Sequence, residues 1–158
     1  AGTTLGELHE TRLILEPTLV MQLTRTRSKK LLDSLEHELD AGRVALTAGE
    51  LELAVRKFND FHTMLIEASG NRALRLIVGI VRSLSDRSID VLAETSPGGD
   101  VALRRNLQKT QAAYQQLLDL MRSGNEQEAK AFWRKYMERA QQFLERTGLG
   151  ARKIPHLP

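Results

Sequence analysis

Apolar residues recur every three or four positions along nearly the whole chain, and no stretch shows the alternation of a β-strand. This spacing places the apolar side chains on one face of each successive α-helix, which must bury that face against other helices. Six main helices with short connections therefore predict an all-α protein, an antiparallel bundle of about six to seven helices. A chain of 158 residues suits one domain with a single core.

Capping residues and breaks set the predicted boundaries of the first two helices. The first spans about residues 4–22, and Pro17 should kink it, because the proline ring removes a hydrogen bond and clashes with the preceding turn. Ser28 should cap the second helix, which is expected to stop near Gly42.

The fourth predicted helix is the most apolar of the six, and a short turn separates it from the third. Thr47 and Glu50 match a capping box for the third helix, which should run to about Ser69. The pair Gly70–Asn71 then ends one helix and starts the next. Residues 74–84 of the fourth helix are apolar on more than one side, so this helix is expected to be central or to lie in an interface.

The clearest break in the chain is at residues 96–99, where serine, proline and two glycines follow one another. Asp100 is expected to cap the fifth helix, and Asn125 with Glu128 to open the sixth. Residues 1–147 are thus predicted to form one helical domain, and 148–158 a C-terminal tail that is loose and flexible.

Composition excludes several kinds of site. The chain has no cysteine, so it can form no disulfide, zinc–thiolate site or cysteine nucleophile. The longest apolar run, residues 74–84, is interrupted by arginine, glycine and serine, and no membrane partner is expected. The net charge is +3, and the densest basic run, residues 25–30, is interpreted as a solvated helix start rather than a phosphate-binding patch.

No catalytic motif is present. The sequence lacks the Gly-x-Ser-x-Gly elbow of hydrolases and the glycine-rich loops that bind phosphates. Its four histidines form neither a Glu-x-x-His nor a His-x-x-x-His pair, which excludes the di-iron bundle and the zinc-protease helix. The protein is therefore expected not to be an enzyme, and no catalytic residue is predicted.

Polar residues on apolar helix faces are the remaining candidates for a site. Arg12 lies on the stripe of the first helix, where its charge needs an internal carboxylate such as Glu16, an exit to solvent, or an anionic ligand. His62 lies on the core face of the third helix and is either a hydrogen-bonded core residue or a ligand contact. Three inward-facing aromatic residues are expected in the core: Tyr114, Trp133 and Tyr136.

Three segments carry a resemblance to a known family. Glu10 to Pro17 resembles the opening helix of the C-terminal, FCD-type domain of FadR-type regulators in the GntR family. Phe61-His62, followed by residues 67–71, resembles the third helix of that domain and the turn after it. Residues 123–125 with Ala129 resemble its last turn and final helix. The similarity covers about residues 5–144 in matching order and spacing.

The resemblance implies the sensing half of a cytoplasmic bacterial transcription regulator. It implies a helical bundle with an effector pocket, a homodimer, and a complete regulator in which an N-terminal winged helix-turn-helix binds DNA. The effector would shift the dimer between two DNA-binding states, which requires different affinities for those states. This chain supplies no winged helix, so DNA binding is expected only through that absent domain.

The resemblance also implies where a metal would bind. Many members of the family hold a divalent metal with one aspartate and three histidines. The corresponding residues here are Phe58, His62, Tyr114 and Tyr136. One imidazole without further ligands cannot hold zinc or nickel tightly. The sequence therefore predicts a metal-free pocket with no cofactor.

The same resemblance suggests how an effector would bind. Its carboxylate would meet Arg12 and His62, Tyr114 and Tyr136 would donate from their hydroxyl groups, and an apolar portion would lie between Phe58 and Trp133. A small carboxylic acid and an acyl thioester both remain open.

Two rival hypotheses remain beside the sensor. The first is a helical dimerisation or interaction module whose former pocket is filled by Phe58, Tyr114 and Tyr136, with no small-molecule effector. The second is a metal-dependent enzyme on a helical bundle, which the missing metal ligands disfavour.

Overall fold

The protein is a bundle of α-helices in a computed structural model that describes residues 2–95 and 97–155. Across these ranges there is no β-strand, only one isolated bridge between Thr4 and Lys153. The all-α prediction is confirmed. The described helices are α1 (Leu5–Thr26), α2 (Lys29–Ala48), α3 (Leu51–Glu67), α4 (Arg72–Thr95), α5 (Gly99–Ser123) and α6 (Glu126–Thr147), followed by a 3₁₀ turn (Leu149–Ala151).

Two apolar clusters hold the helices together. The larger cluster joins all six helices, and its centre includes Phe61, Leu117 and Trp133. The smaller cluster joins α1, α3 and α4 to the C-terminal segment. Helix α1 packs against α6 and α3 and contributes apolar residues to both clusters. None of the helices in the described ranges is long and apolar enough to cross a membrane.

Helix α4 lies at the edge of the bundle. It packs mainly against α3 and touches α1 more lightly. Leu76 is 80% exposed and Ile80 is 63% exposed, while Val78 and Val81 on the opposite side are buried. The sequence predicted that α4 is either central in the bundle or part of an interface. The central position is wrong, and the interface stays a prediction.

The sequence predicts the end of α2 too early, at Gly42. The helix continues to Ala48 and ends at Gly49, whose φ of 82° is left-handed. Gly42 instead makes room for an aromatic ring, since a Cβ at this position would lie 2.6 Å from Cε1 of Phe58. A glycine within a helix thus marks a close helix contact here rather than a helix end.

The capping box predicted at the start of α3 is wrong. The Thr47 hydroxyl donates to the carbonyl of Arg43 inside α2, at 2.9 Å, and Glu50 makes no side-chain capping bond. A capping box does form at α1, where the Thr4 hydroxyl accepts from the backbone N–H of Glu7 and the Glu7 carboxylate accepts from the backbone N–H of Thr4.

The other predicted caps divide into confirmed and wrong ones. Ser28 accepts from the backbone of α2, Asn71 from that of α4 and Asn125 from that of α6, as predicted. Asp100 does not cap α5, because Gly98 precedes the helix in a left-handed conformation and Asp100 falls in its first turn. Ser96, in the predicted break, lies outside the described residues.

The described part of the C-terminal segment packs against the start of α1, unlike the loose tail expected. Leu149 and Ile154 are buried in contact with the bundle. The backbone N–H of Leu5 donates to the carbonyl of Arg152 at 2.9 Å, and that of Ile154 donates to the carbonyl of Thr3 at 2.8 Å. Two apolar anchors and two backbone hydrogen bonds therefore hold residues 149–155, whereas 156–158 lie outside the described residues.

Candidate functional site

A cavity of about 220 Å³ lies where α1, α3, α4, α5 and α6 meet. Four of the six predicted site residues line it: Arg12, His62, Tyr114 and Tyr136. Phe58 and Trp133 are not among its lining residues. Most of the remaining lining is aliphatic or aromatic, contributed by residues such as Leu8, Leu92 and Phe143.

Arg12 is the charged group of this cavity. Its side chain is buried, with 6% of the residue exposed. Nη2 donates to the Ser85 hydroxyl at 2.6 Å, and Nη1 donates to the Asn59 side-chain oxygen at 3.3 Å. Burial lowers the pKa of Arg12, and the nearby Glu16 partly opposes this shift. The guanidinium nevertheless stays protonated in proteins, so a cation is held inside the bundle by neutral partners.

One donor of that cation is unused. The buried Nε of Arg12 has no hydrogen-bond partner. A buried donor without a partner is costly, and more so when the donor is charged. The internal partner expected from the sequence, Glu16, makes no hydrogen bond to Arg12, because His62 and Trp133 occupy it.

His62 is part of a buried chain of hydrogen bonds. Its Nδ1 lies 2.8 Å from Oε2 of Glu16, and the Trp133 indole N–H donates to the same carboxylate at 2.8 Å. A proton on Nδ1 is assigned from this pairing, which leaves Nε2 to accept from the Tyr114 hydroxyl. Burial lowers the pKa of His62, although Glu16 opposes the shift. Both ring nitrogens are thus engaged by protein groups, and neither is free for an anion.

The aromatic residues support the cavity in different ways. Burial raises the pKa of Tyr114 well above its usual value, so this hydroxyl keeps its proton. Tyr136 is partly exposed, and its hydroxyl donates to Thr110 at 3.4 Å. Trp133 stacks on Tyr136 with ring centroids 5.1 Å apart, and Phe58 meets the edge of Tyr114 at 5.6 Å. Phe58 and Trp133 therefore fix the tyrosines from behind instead of flanking a ligand.

Three lining or supporting residues were not predicted. His9 lines the cavity, and its Nε2–H donates to the carbonyl of Met137 at 2.8 Å. Burial lowers the pKa of His9 to about 4, so it is neutral. Its position three residues before Arg12 on the same stripe was the available signal. Asn59 and Ser85 gave no such signal, because they reach Arg12 from α3 and α4.

A family model for the FCD domain matches residues 7–139. The chain belongs to the FCD domain family. FCD domains form the C-terminal domain of GntR-family regulators, where they act as effector-binding regulatory domains rather than enzymes. No curated protein and no solved structure matched the chain. The matched range of this FCD domain contains Arg12 and the other cavity-lining residues from its predicted site.

The donor set of this FCD domain does not suit the divalent metal that the family resemblance implies. Phe58, Tyr114 and Tyr136 stand at three of the four positions where the resemblance would place ligands. Within residues 2–95 and 97–155 no three His, Cys, Asp or Glu side chains come together as a metal site would require. The retained His62 has both ring nitrogens engaged by Glu16 and Tyr114. The residues therefore do not fit a bound metal.

Proposed function

We propose that this FCD domain senses a small carboxylate, which binds in the cavity with its anionic group at Arg12. The buried guanidinium of Arg12 carries the proposal, because Arg12 lines the cavity with its Nε unpaired, and a carboxylate there would supply an acceptor and a compensating charge together. The effector would act on the regulator by binding more tightly to one of its two DNA-binding states. DNA contacts would come from the winged-helix domain of the complete regulator.

The size of the cavity favours a small acid over an acyl thioester. Pockets that bury drug-sized ligands hold roughly 300–1,000 Å³, whereas this cavity has about 220 Å³. A short carboxylic acid fits this volume with its body against Leu8, Leu92 and Phe143. The acyl end of a coenzyme thioester, by contrast, carries no carboxylate to meet Arg12.

The rival module with a closed pocket has less support. It requires Phe58, Tyr114 and Tyr136 to fill the space. Phe58 points toward Gly42 on α2, and the two tyrosines are drawn into hydrogen bonds with His62 and Thr110. The cavity persists beside them, which supports a role in ligand binding.

The test of the sensor is a thermal-shift and calorimetric screen of short monocarboxylates, hydroxy acids and aromatic acids. At a free concentration of about 100 times Kd, a bound acid should stabilise the native state by about 2.7 kcal/mol. Arg12→Met keeps the apolar stem and should weaken binding by about 10–100-fold, as expected for a lost charged hydrogen bond.

Two further variants make the result decisive. Arg12→Lys retains the buried cation but loses the planar fork, and should bind more weakly than wild type while staying folded. Arg134→Met removes an exposed cation of α6 and should leave binding unchanged. If no acid stabilises the wild type, or if Arg12→Met and Arg134→Met respond alike, the carboxylate sensor is wrong.

We also propose that the domain forms a homodimer through the α1–α4 patch, defined by Ile14, Leu76, Ile77 and Ile80. These side chains are between 41% and 80% exposed. Such contiguous apolar surface commonly marks an interface.

The charges around the α1–α4 patch favour a second copy as its occupant. Ile14 and Ile77 line only the first of two adjoining grooves, whereas Thr3 and Leu84 line both, so α1 and α4 run in opposite directions along the patch. Exposed Glu10 then lies toward one end and exposed Arg75 toward the other. A two-fold axis through the patch would pair each with its opposite on the partner.

Sedimentation equilibrium tests the interface. Ile80→Asp should shift the protein from dimer to monomer. Val101→Asp alters an aliphatic residue on α5 that is even more exposed, and should leave the dimer intact. A monomeric wild type, or equal effects of both substitutions, would refute the α1–α4 dimer.

A further inference from the structure

A groove between α5 and α6 adjoins the cavity. It has a volume of about 680 Å³, three times that of the cavity. The two spaces share four lining residues: Thr110, Tyr136, Ala140 and Phe143. The hydrogen bond from Tyr136 to Thr110 spans α5 and α6 at this boundary, and at 3.4 Å it is long. The boundary is therefore weakly closed, and one elongated molecule could occupy both spaces.

The α5–α6 groove has an apolar base and a basic rim. Ala113, Phe132 and Phe143 contribute apolar surface along it. Three exposed cations lie on its rim, namely Lys109, Lys135 and Arg139, and no acidic residue lines it.

Some exposed cations of the described surface are paired: Arg25 with Glu126, and Arg122 with Glu36, each at hydrogen-bond distance. Within residues 2–95 and 97–155, neither Lys109, Lys135 nor Arg139 has an ion pair or a side-chain hydrogen bond. The positive charge along the groove is therefore not neutralised by the protein's own carboxylates.

We infer that the α5–α6 groove is the outer half of the effector site and that the effector is an extended acid with two anionic ends. This inference rests on the proposed carboxylate site at Arg12. One carboxylate would meet Arg12 inside, an apolar spacer would lie along Tyr136 and Phe143, and the second anionic group would meet Lys135 and Arg139 outside. A monocarboxylate leaves the outer cations unused, whereas an α,ω-dicarboxylate engages both ends.

The two ends contribute differently to binding. Arg12 is buried, so its contact with a carboxylate is strong and short-range. The outer cations are exposed, and their contacts are weaker and screened by salt. The groove therefore selects among acids that Arg12 already binds, and its selectivity should decline as ionic strength rises.

Calorimetry with two ligand series tests the inference. α,ω-Dicarboxylates of increasing chain length are compared with monocarboxylates of the same length. Beyond a threshold length, the dicarboxylates should bind about tenfold more tightly, the advantage expected from two exposed ion pairs. In Lys135→Glu/Arg139→Glu this advantage should vanish, while binding of short monocarboxylates changes less than about twofold.

Two further variants test whether the dicarboxylate advantage depends on the cations and the open space of the groove rather than on the net charge of the protein. Arg134→Glu/Arg146→Glu makes the same change in net charge on exposed α6 positions that do not line the groove, and should keep the dicarboxylate advantage. Ala112→Trp places a bulky ring in the groove and should weaken long dicarboxylates without affecting short monocarboxylates.

The outcomes distinguish the two proposals. If neither series binds, the carboxylate sensor fails and the groove inference falls with it. If monocarboxylates bind through Arg12 but dicarboxylates gain nothing with length, the groove inference is overturned and the inner site stands. The groove inference is also overturned if the dicarboxylate advantage survives in Lys135→Glu/Arg139→Glu.

Discussion

Acid should destabilise this domain through His9. Burial lowers the pKa of His9 to about 4 in the folded protein, against 6.5 for an ordinary histidine. The Nε2–H donates to the carbonyl of Met137, so the neutral ring is held in one orientation beside the cavity. As the pH falls below 6.5, the unfolded chain binds a proton at His9 and the folded chain does not, which favours unfolding.

The size of this effect follows from the two pKa values. They differ by about two and a half pH units, and each unit corresponds to about 1.4 kcal/mol. Titration of His9 should therefore lower the free energy of unfolding by about 3.5 kcal/mol over the whole pH range, and by about 2 kcal/mol between pH 7 and pH 5. The loss starts near pH 6.5 and ends near pH 4. His62 adds a loss of the same sign, because burial also lowers its pKa.

Urea unfolding followed by circular dichroism at pH 7 and pH 5 measures the effect. His9→Gln retains an N–H that can reach Met137 and removes the titration, so this variant should lose about 2 kcal/mol less than wild type over that interval. Other groups titrate equally in both proteins and cancel in the difference. Parallel losses in wild type and His9→Gln, or an NMR titration of His9 near 6.5, would refute the reasoning.

Three further predictions concern stability and are checked by urea or thermal unfolding. Glu16→Leu leaves two buried N–H donors without an acceptor and should cost about 3 kcal/mol, with Glu16→Gln costing less. Gly42→Ala should destabilise by about 1–2 kcal/mol, because the methyl overlaps the Phe58 ring, while Gly79→Ala meets nothing within 4 Å and should stabilise by up to about 1 kcal/mol. Ile154→Ala should cost about 2 kcal/mol or more, whereas a loose tail would give no change.

Local signals in the sequence were sufficient for the helices and most of their caps. Ser28, Asn71 and Asn125 are each followed at once by a helix, and their side chains accept backbone N–H groups only two or three residues away. Such bonds depend on neighbouring residues alone. The same spacing rules placed Arg12 and His62 on inward faces, and both residues line the cavity.

Signals that have two meanings led to wrong predictions. Gly42 has the appearance of a helix end, although it is the contact point for a ring sixteen residues later in the chain. Thr47 and Glu50 have the spacing of a capping box, yet α2 extends past Thr47, whose hydroxyl donates to the carbonyl of Arg43 within that helix. In both cases contacts between helices, absent from any local pattern, determined which meaning applied.

The sequence by itself determined the class of fold and the family, because periodicity, caps and residue identity at each position are properties of the chain. Only the tertiary structure decided which partners each buried polar group has. Glu16 accepts hydrogen bonds from His62 and Trp133 rather than from Arg12. Arg12 donates to Asn59 and Ser85, and its Nε has no partner. Hydrogen bonds act over about 3 Å, and residues from helices far apart in the chain come within that distance only when the helices pack.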